Sequence, residues 1–340
     1  MQIYDNHSLQ SLNSFGVEIS ANCFTSLMCS ADIESLLKWR ADNPSVPCLL
    51  IGGGSNLLFR DNFPGLAVAV RLMGKQLVKE DENHWYIEAA AGENWHDFVR
   101  WTIDQGYAGL ENLSLIPGTV GAAPMQNIGA YGVELTDRLH CLTAIDLLTG
   151  ETREFTNKDC QFGYRDSFFK RQQADRWLIS AVVFRLAKQP VWVTEYAGVD
   201  KALAGQAPSA KFISDVIIAL RQSKLPDPAL LGNAGSFFKN PILSHSDYRE
   251  LKARFADIPG YPQRDGSDQT KTSAAWLIDQ CGWKAHRVGD AGIYEKHALV
   301  LVNHGSASGQ ELWGLAEQII QSVQDKFGIV LEAEPRVITA

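Results

Sequence analysis

A layered fold of mixed helices and strands, α+β or α/β, is what this 340-residue sequence predicts, and three features predict it. Strand-like and helix-like segments alternate through the first third. A glycine- and proline-punctuated stretch over 109–134 then carries no helical or strand period. Helical and strand patterns return beyond residue 210. With 45% hydrophobic and 21% charged residues, the chain is neither disordered nor of low complexity, and at ~100–200 residues per domain it makes two or three domains.

The elements follow in order. Asp32 is a candidate N-cap for a helix through Ile33, Leu36, Leu37 and Trp39. The apolar run Cys48-Leu49-Leu50-Ile51 is a strand delivered into Gly52-Gly53-Gly54-Ser55-Asn56. Residues 66–70 and 85–91 read as strands. Asn94 caps a helix carrying Trp95, Phe98, Val99, Thr102 and Ile103, and Gly106 ends it. The unperiodic 109–134 stretch is too long for a plain connection and reads as a functional loop system. Strands are expected at 139–148, 151–155 and 177–187, and a helix over 211–222. A further helix holds Trp276-Leu277-Ile278, capped near Thr272 and stopped by Gly282. Ala298–Val302 is a strand, Ser308-Gly309-Gln310-Glu311 is a capping box opening a helix that ends before Gly328, and 329–338 reads as a closing strand.

Charge and cysteine usage bound the function. A net charge of −8 argues against a generic nucleic-acid binder, which needs excess Lys and Arg, but leaves room for an anionic small molecule held by a local basic cluster. The six cysteines include no C-x-x-C pair and the eight histidines no H-x-H or H-x-x-x-H set, so neither a disulfide framework nor a metal site is expected. The first seven residues, Met1 to His7, have neither a basic nor an apolar signal region, and no apolar run reaches the ~18–20 residues of a membrane span. The expectation is a reduced, cytoplasmic protein without membrane contact.

Four motifs could carry chemistry. Consecutive glycines at 52–54 let backbone amides approach an anion, although the segment is neither a G-x-G-x-x-G fingerprint nor a P-loop, and a tight strand turn explains it equally well. In the 109–134 loop, glycines expose amides while Ile116, Pro117, Ile128 and Tyr131 offer flat apolar surface, a pairing suited to a planar, phosphate-bearing cofactor. Phe162-Gly163-Tyr164-Arg165-Asp166-Ser167 supplies a cation in Arg165, which by itself would pair with a neighbour such as Asp166. Arg221, Lys224 and the segment Gly232-Asn233-Ala234-Gly235-Ser236-Phe237-Phe238-Lys239-Asn240-Pro241 set a serine on a glycine turn among donors suited to phosphates, without the G-x-S-x-G elbow of a serine hydrolase.

Taken in order, these motifs and the closing Leu331-Glu332-Ala333-Glu334-Pro335-Arg336 resemble the UDP-N-acetylenolpyruvoylglucosamine reductase (MurB) family over nearly the whole chain. Tyr196, within 189–210, resembles the tyrosine loop of the longer, type I members. The resemblance implies an α+β fold: a vanillyl-alcohol-oxidase-type FAD-binding domain in two subdomains (1–72 with 328–340, and 73–223) plus a third α+β substrate-binding domain (224–327). It implies NADPH-dependent reduction of the enolpyruvyl ether of UDP-N-acetylglucosamine through bound FAD. By the match, Arg165 is the catalytic cation, Ser236 the general acid and Glu334 the acidic partner, with Glu332 the alternative if the register slips by two.

FAD contacts fall on Gly52, Gly53, Gly54, Ser55, Asn56 and Leu57, on Ile116, Pro117, Gly118, Gly121, Ala122 and Ala123, on Gly129, Ala130 and Tyr131, and on Arg165. Substrate contacts fall on Tyr196, Arg221, Lys224, Gly235, Asn240 and His297. Two positions depart from the pattern of some relatives. His297 stands where a glutamine-type diphosphate contact occurs, and Ala122-Ala123 where hydroxyl residues lie near the FAD phosphates, so backbone amides are expected to serve there. A monomer is expected. The competing readings are another oxidase or dehydrogenase of the same FAD superfamily and a catalytically silent flavin- or nucleotide-sugar-binding regulator.

Overall fold

The computed structural model describes residues 1–171, 175–196, 198–263 and 266–339. The chain divides into two compact units, one of residues 1–7, 20–54 and 63–223, the other of 8–19, 55–62 and 224–340.

In the first unit, Phe63–Val70 runs parallel to both Ser20–Leu27 and Cys48–Ile51, in a four-stranded sheet completed by Tyr4–Ser8. As the central strand it is buried along almost its whole length, which is why it reads as a continuous apolar run rather than an alternation. The helix Ser30–Asp42 joins the two parallel neighbours and buries Ile33 and Leu36. Its cap differs from expectation. Cys29 is the N-cap, and Asp32, three residues in, folds back so that its carboxylate accepts from the N–H groups of Met28 (2.8 Å) and Cys29 (3.2 Å). Those bonds hold its carboxyl below the usual carboxylate range.

A five-stranded antiparallel sheet follows, in the order Thr152–Thr156, Leu139–Asp146, Trp177–Ala187, His84–Ala90, Lys75–Glu80. The helix Trp95–Asp104, capped as expected by the Asn94 side chain on Asp97 N–H at 3.1 Å, lays Trp95, Phe98 and Val99 on this sheet beside Phe184. Gly106, at φ +81°, follows its end. The 109–134 segment is ordered without long elements: it contains the short 3-10 helices Glu111–Leu113 and Val120–Gln126 and the strand pair Gly129–Ala130 and Val133–Glu134.

In the second unit, Gly232–Ser236, Val300–Asn303, Ala291–Ile293 and Arg287–Val288 form one antiparallel sheet, and Ile242–Ser244, Gln269–Thr272 and Gly260–Pro262 another. Ser308 and Glu311 form the expected capping box of the helix Gly309–Phe327, which buries Leu312, Leu315, Ala316, Ile319 and Val323 along one stripe and ends at Gly328 (φ +73°). Its first residue must be glycine, because a Cβ there would lie 1.6 Å from the Phe59 carbonyl oxygen. The expected strand at 329–338 shrinks to Arg336–Ile338, parallel to Leu57–Phe59. Residues 332–334 instead bridge sideways to 237–239. These pairings group 328–340 with 224–327 and with 55–62.

All six cysteines are free. Burial pushes the Cys48 and Cys160 thiols up to about 12 and Cys141 up to about 11, so these three are unreactive apolar side chains. Among the described residues no helix is long and apolar enough to cross a membrane, and no cluster of His, Cys, Asp or Glu could hold a metal ion.

Candidate active site

In the first unit, two glycine segments far apart in sequence come into contact. Strand Cys48–Ile51 ends in Gly52-Gly53-Gly54, with Gly54 at φ +64°. A Cβ on Gly53 would lie 2.6 Å from the Gly118 Cα, and one on Gly52 would lie 2.5 Å from the Thr119 hydroxyl oxygen. The turn can therefore carry no side chain at either position. Arg71, which sequence reading passed over, braces it: its Nη1 donates to the Gly52 carbonyl at 2.8 Å and to its neighbour Val70 O at 3.0 Å. The signal was an arginine closing the apolar strand Phe63–Val70, with nothing in the sequence to link it to residue 52.

The Thr119 hydroxyl is buried and has no hydrogen-bond partner among the described residues, so a polar atom beside the glycine contact is left for a ligand. The backbone amides of Ala122 and Ala123, expected to serve the cofactor, and that of Gly121 each have a partner within the chain. Gly121 N–H donates to Ala91 O (2.9 Å), while Ala122 and Ala123 N–H both donate to Thr119 O (3.1 and 3.2 Å). Gly121 is glycine because a Cβ would meet Ala91 Cβ at 2.4 Å. The Gly121 amide thus ties the loop to the segment after strand His84–Ala90, and those of Ala122 and Ala123 close the short 3-10 helix.

The rest of the loop is fastened by side chains. The buried Asn112 carboxamide donates to the carbonyls of Tyr131 and Val193, each at 2.8 Å, tying 109–134 to the 189–210 segment. His96 Nδ1 accepts from Leu115 N–H at 3.0 Å, holding Leu115 in its left-handed conformation (φ +59°); burial lowers the affinity of His96 for a proton, as this acceptor role requires. Tyr131, also left-handed at φ +47°, meets Tyr196 edge-on at 5.6 Å between ring centres.

Arg165 is placed by its own loop. Gly163 and Asp166 exchange backbone hydrogen bonds, the Asn127 side chain donates to Gly163 O, Ser167 Oγ to Met125 O and Lys170 Nζ to Arg165 O. These bonds hold Arg165 at φ +54°. Its guanidinium donates to Gly129 O at 3.0 Å, while Asp166, the neighbour it might have paired with, is taken by Arg171.

On helix Ala210–Lys224, burial is the main cause lowering the Arg221 pKa; Tyr131 opposes that shift and the like charge of Arg165 adds to it. Burial likewise raises the Tyr131 phenol, against the pull of Arg221. The Arg221 Nε is buried without a partner among the described residues. Two arginines that repel each other, one of them buried with an unsatisfied donor, form a site that an anion would complete.

In the second unit, the strand Gly232–Ser236 pairs with Val300–Asn303 through a register break between Asn233 and Ser236. Gly235 (φ +70°) turns the chain there, and its N–H donates to the Asn233 carboxamide oxygen at 2.9 Å. Such bulges re-aim a side chain, here Ser236. Phe237 N–H then donates to Leu299 O (2.7 Å), and on the other edge Glu334 N–H donates to Phe237 O (2.8 Å) and Lys239 N–H to Glu332 O (2.9 Å).

The backbone of Glu334 is thus fixed one residue from Ser236, and its carbonyl accepts from Asn56 Nδ2 at 3.2 Å. Glu332 is exposed and paired with Lys239. Glu334 is half-buried, which favours it over Glu332 as the acidic partner. His297 is half-buried, and its Nδ1 accepts from Leu299 N–H at 3.3 Å, leaving the proton on Nε2. Burial first, and the charges of Lys224 and Lys284 next, pull its pKa down. The Asn240 side-chain oxygen accepts from Ala274 N–H at the start of the helix Ala274–Gln280. Of the cofactor segment expected at 52–57, Gly52–Gly54 belong to the first unit and Ser55, Asn56 and Leu57 to the second, where Asn56 serves the Glu334 strand.

Comparison with known proteins gives a consistent picture. Residues 26–156 match the FAD binding domain family, and residues 227–338 match the UDP-N-acetylenolpyruvoylglucosamine reductase, C-terminal domain. Among curated proteins, the UDP-N-acetylenolpyruvoylglucosamine reductase of Azoarcus sp. (strain BH72) is 51% identical over 98% of this chain and 97% of its own length. That of Bdellovibrio bacteriovorus is 47% identical, covering 98% and 99%. Among solved structures, UDP-N-acetylenolpyruvylglucosamine reductase (MurB) from Thermus caldophilus covers all of both chains with a TM-score of 0.70 at 22% identity. The 4-ethylphenol oxidase of Gulosibacter chungangensis covers 96% of this chain and 84% of its own with a TM-score of 0.50 at 11% identity, a likeness of fold alone.

Proposed function

The chain belongs to the UDP-N-acetylenolpyruvoylglucosamine reductase family, and on that premise we propose that it reduces the enolpyruvyl ether of UDP-N-acetylglucosamine to UDP-N-acetylmuramate, with NADPH as reductant and FAD as bound cofactor, in peptidoglycan precursor synthesis. The fold is α+β, of the vanillyl-alcohol-oxidase type. The observation that carries the reading furthest is that Arg165 and Arg221, half-buried cations whose like charges act on each other, lie with Tyr131 in the unit that also matches the FAD binding domain.

The residues fit FAD: the Gly53–Gly118 contact is free of side chains and lies next to the unsatisfied Thr119 hydroxyl, and Arg71 satisfies the Gly52 carbonyl of the same turn. FAD, when bound, relays hydride from NADPH to the methylene carbon of the substrate. Negative charge then develops on the substrate carboxylate and the adjoining carbon. Arg165, already oriented by its bond to Gly129 O, stabilises that charge with Glu334 as acidic partner, an effect that can be worth ~10²–10³ in rate for one donor.

Ser236 delivers the proton to the second carbon. A serine hydroxyl is a weak acid in water, so it must be held by a rigid frame at hydrogen-bond distance, and the bulge at Gly235 with the flanking Leu299 and Glu334 bonds is such a frame. Tyr196, Lys224 and Asn240 take the diphosphate and uridine, and Arg221, Gly235 and His297 are further substrate contacts. At His297 a neutral Nε2–H does what a glutamine amide would, donating one hydrogen bond without adding charge. The partition into FAD subdomains 1–72 with 328–340 and 73–223 and a substrate domain 224–327, a monomeric state, a cytoplasmic location and the absence of nucleic-acid and membrane partners belong to the same proposal.

The purified protein is expected to retain flavin absorbance and to oxidise NADPH rapidly only when the enolpyruvyl substrate is present. Oxidation at the same rate with oxygen alone would favour an oxidase, and no turnover in either condition a binding protein. Ser236→Ala is expected to keep flavin reduction by NADPH while product formation is lost. Normal flavin reoxidation by substrate in stopped-flow traces of that variant would remove Ser236 from the role of acid.

A further inference from the structure

The Lys239–Glu332 ion pair lies outside the residues that touch cofactor or substrate, yet it closes the frame that carries them. Residues 237–239 and 332–334 run antiparallel for only three residues, with Phe238 opposite Ala333 and one backbone hydrogen bond on either side. One of those bonds presents Glu334 beside Phe237; the other joins Lys239 to Glu332 at the end away from Ser236. A ladder this short has no register of its own, because so few bonds oppose a slip.

The Lys239 and Glu332 side chains are paired across the same rung, and the two ends differ in character: the lysine side chain is 15% exposed and the glutamate 70%. The pair adds little stability, since a partner this exposed is screened by water. It joins, across one rung, the segment that continues from Ser236 and the segment bearing Glu334.

Resting on the function proposed above, we infer that Lys239 and Glu332 are positioning residues of the protonation step, setting the distance between the Ser236 hydroxyl and the Glu334 carboxylate. Loss of the pair lets 332–334 shift against 237–239 while both strands remain held on their outer edges, Phe237 by Leu299 and Glu334 by Asn56. A displacement approaching 1 Å between groups that act together lowers a rate by roughly ten- to a hundredfold.

The test uses the FAD-loaded enzyme and follows its two half-reactions separately in Lys239→Met, Glu332→Gln and the double charge reversal Lys239→Glu with Glu332→Lys. Flavin reduction by NADPH is expected to match the parent in all three. Flavin reoxidation by the enolpyruvyl substrate is expected to slow about tenfold in the single variants, with a larger solvent deuterium isotope effect as proton transfer becomes limiting, and to recover severalfold in the charge reversal. Glu332 is exposed, so Glu332→Gln folds even if Lys239→Met does not. Equal slowing of both half-reactions, unchanged reoxidation, or no recovery on charge reversal would overturn the inference. A parent enzyme that the substrate fails to reoxidise would overturn the underlying function instead.

Discussion

At the scale of single residues, protonation is where folding and function meet most directly. His297 has its proton affinity lowered by burial and by Lys224 and Lys284, so the folded protein keeps it neutral at pH values where the unfolded chain would protonate it, below ~6.5. Between that value and the lowered folded-state one, the unfolded state binds more protons, and stability falls as pH falls. Replacing His297 with Gln is therefore expected to flatten the acid side of the Tm-against-pH curve while leaving Tm near pH 8 almost unchanged. It is also expected to keep substrate KM within a fewfold at neutral pH, since the amide offers the same single donor. An unaltered acid slope in thermal melts would mean that His297 is not held neutral.

Residue identity revealed some of this and hid the rest. Arg165, Ser236 and Glu334 could be named from the sequence because they sit in recognisable motifs; their roles rest on the proposed function. Arg71 was not, because the bond that gives it a role reaches back to Gly52 and depends on how the strands Cys48–Ile51 and Phe63–Val70 align.

At the scale of elements, local chemistry decided most boundaries. Asn94 and Ser308 cap the helices they were expected to cap, because capping needs only the backbone of the next turn. Asp32 is the third residue of its helix rather than the cap, an error of one local motif for another, the capping box with Cys29. A distant partner decided elsewhere: 329–335 leaves the extended strand pattern because 332–334 is drawn to 237–239. The Gly121 amide turned inward for a similar reason: its partner Ala91 follows the strand His84–Ala90, and no local pattern announces it.

The contact between the two glycine segments gives an expected outcome at this scale. Gly53→Ala forces a methyl group to within 2.6 Å of the Gly118 backbone, which cannot yield as a flexible side chain would. A loss of about 1–3 kcal/mol in stability is expected from such overpacking, together with a lower flavin-to-protein ratio after purification. Full flavin content and an unchanged Tm would show that the two segments can separate without consequence.

For the whole molecule, a net charge of −8 coexists with local groups of cations in each unit. Arg165 and Arg221 act on each other in one unit, and Lys224 and Lys284 act on His297 in the other. Because the substrate is a dianionic nucleotide sugar with a carboxylate, its capture is expected to weaken with salt: KM should rise as ionic strength shortens the screening length to ~8–10 Å and below, while kcat changes little. A KM independent of ionic strength would mean that these cations are compensated inside the protein.

The parallel pairing of Leu57–Phe59 with Arg336–Ile338 has a further consequence, for the order in which the chain can be finished on the ribosome. Asn56 and Glu334, joined by a hydrogen bond, are 278 residues apart. At ~5–20 residues per second, strand Leu57–Phe59 leaves the ribosome roughly 14–56 s before its partner is made. Throughout that interval it is an unsealed apolar edge, the kind of surface on which nascent chains associate with chaperones or with one another.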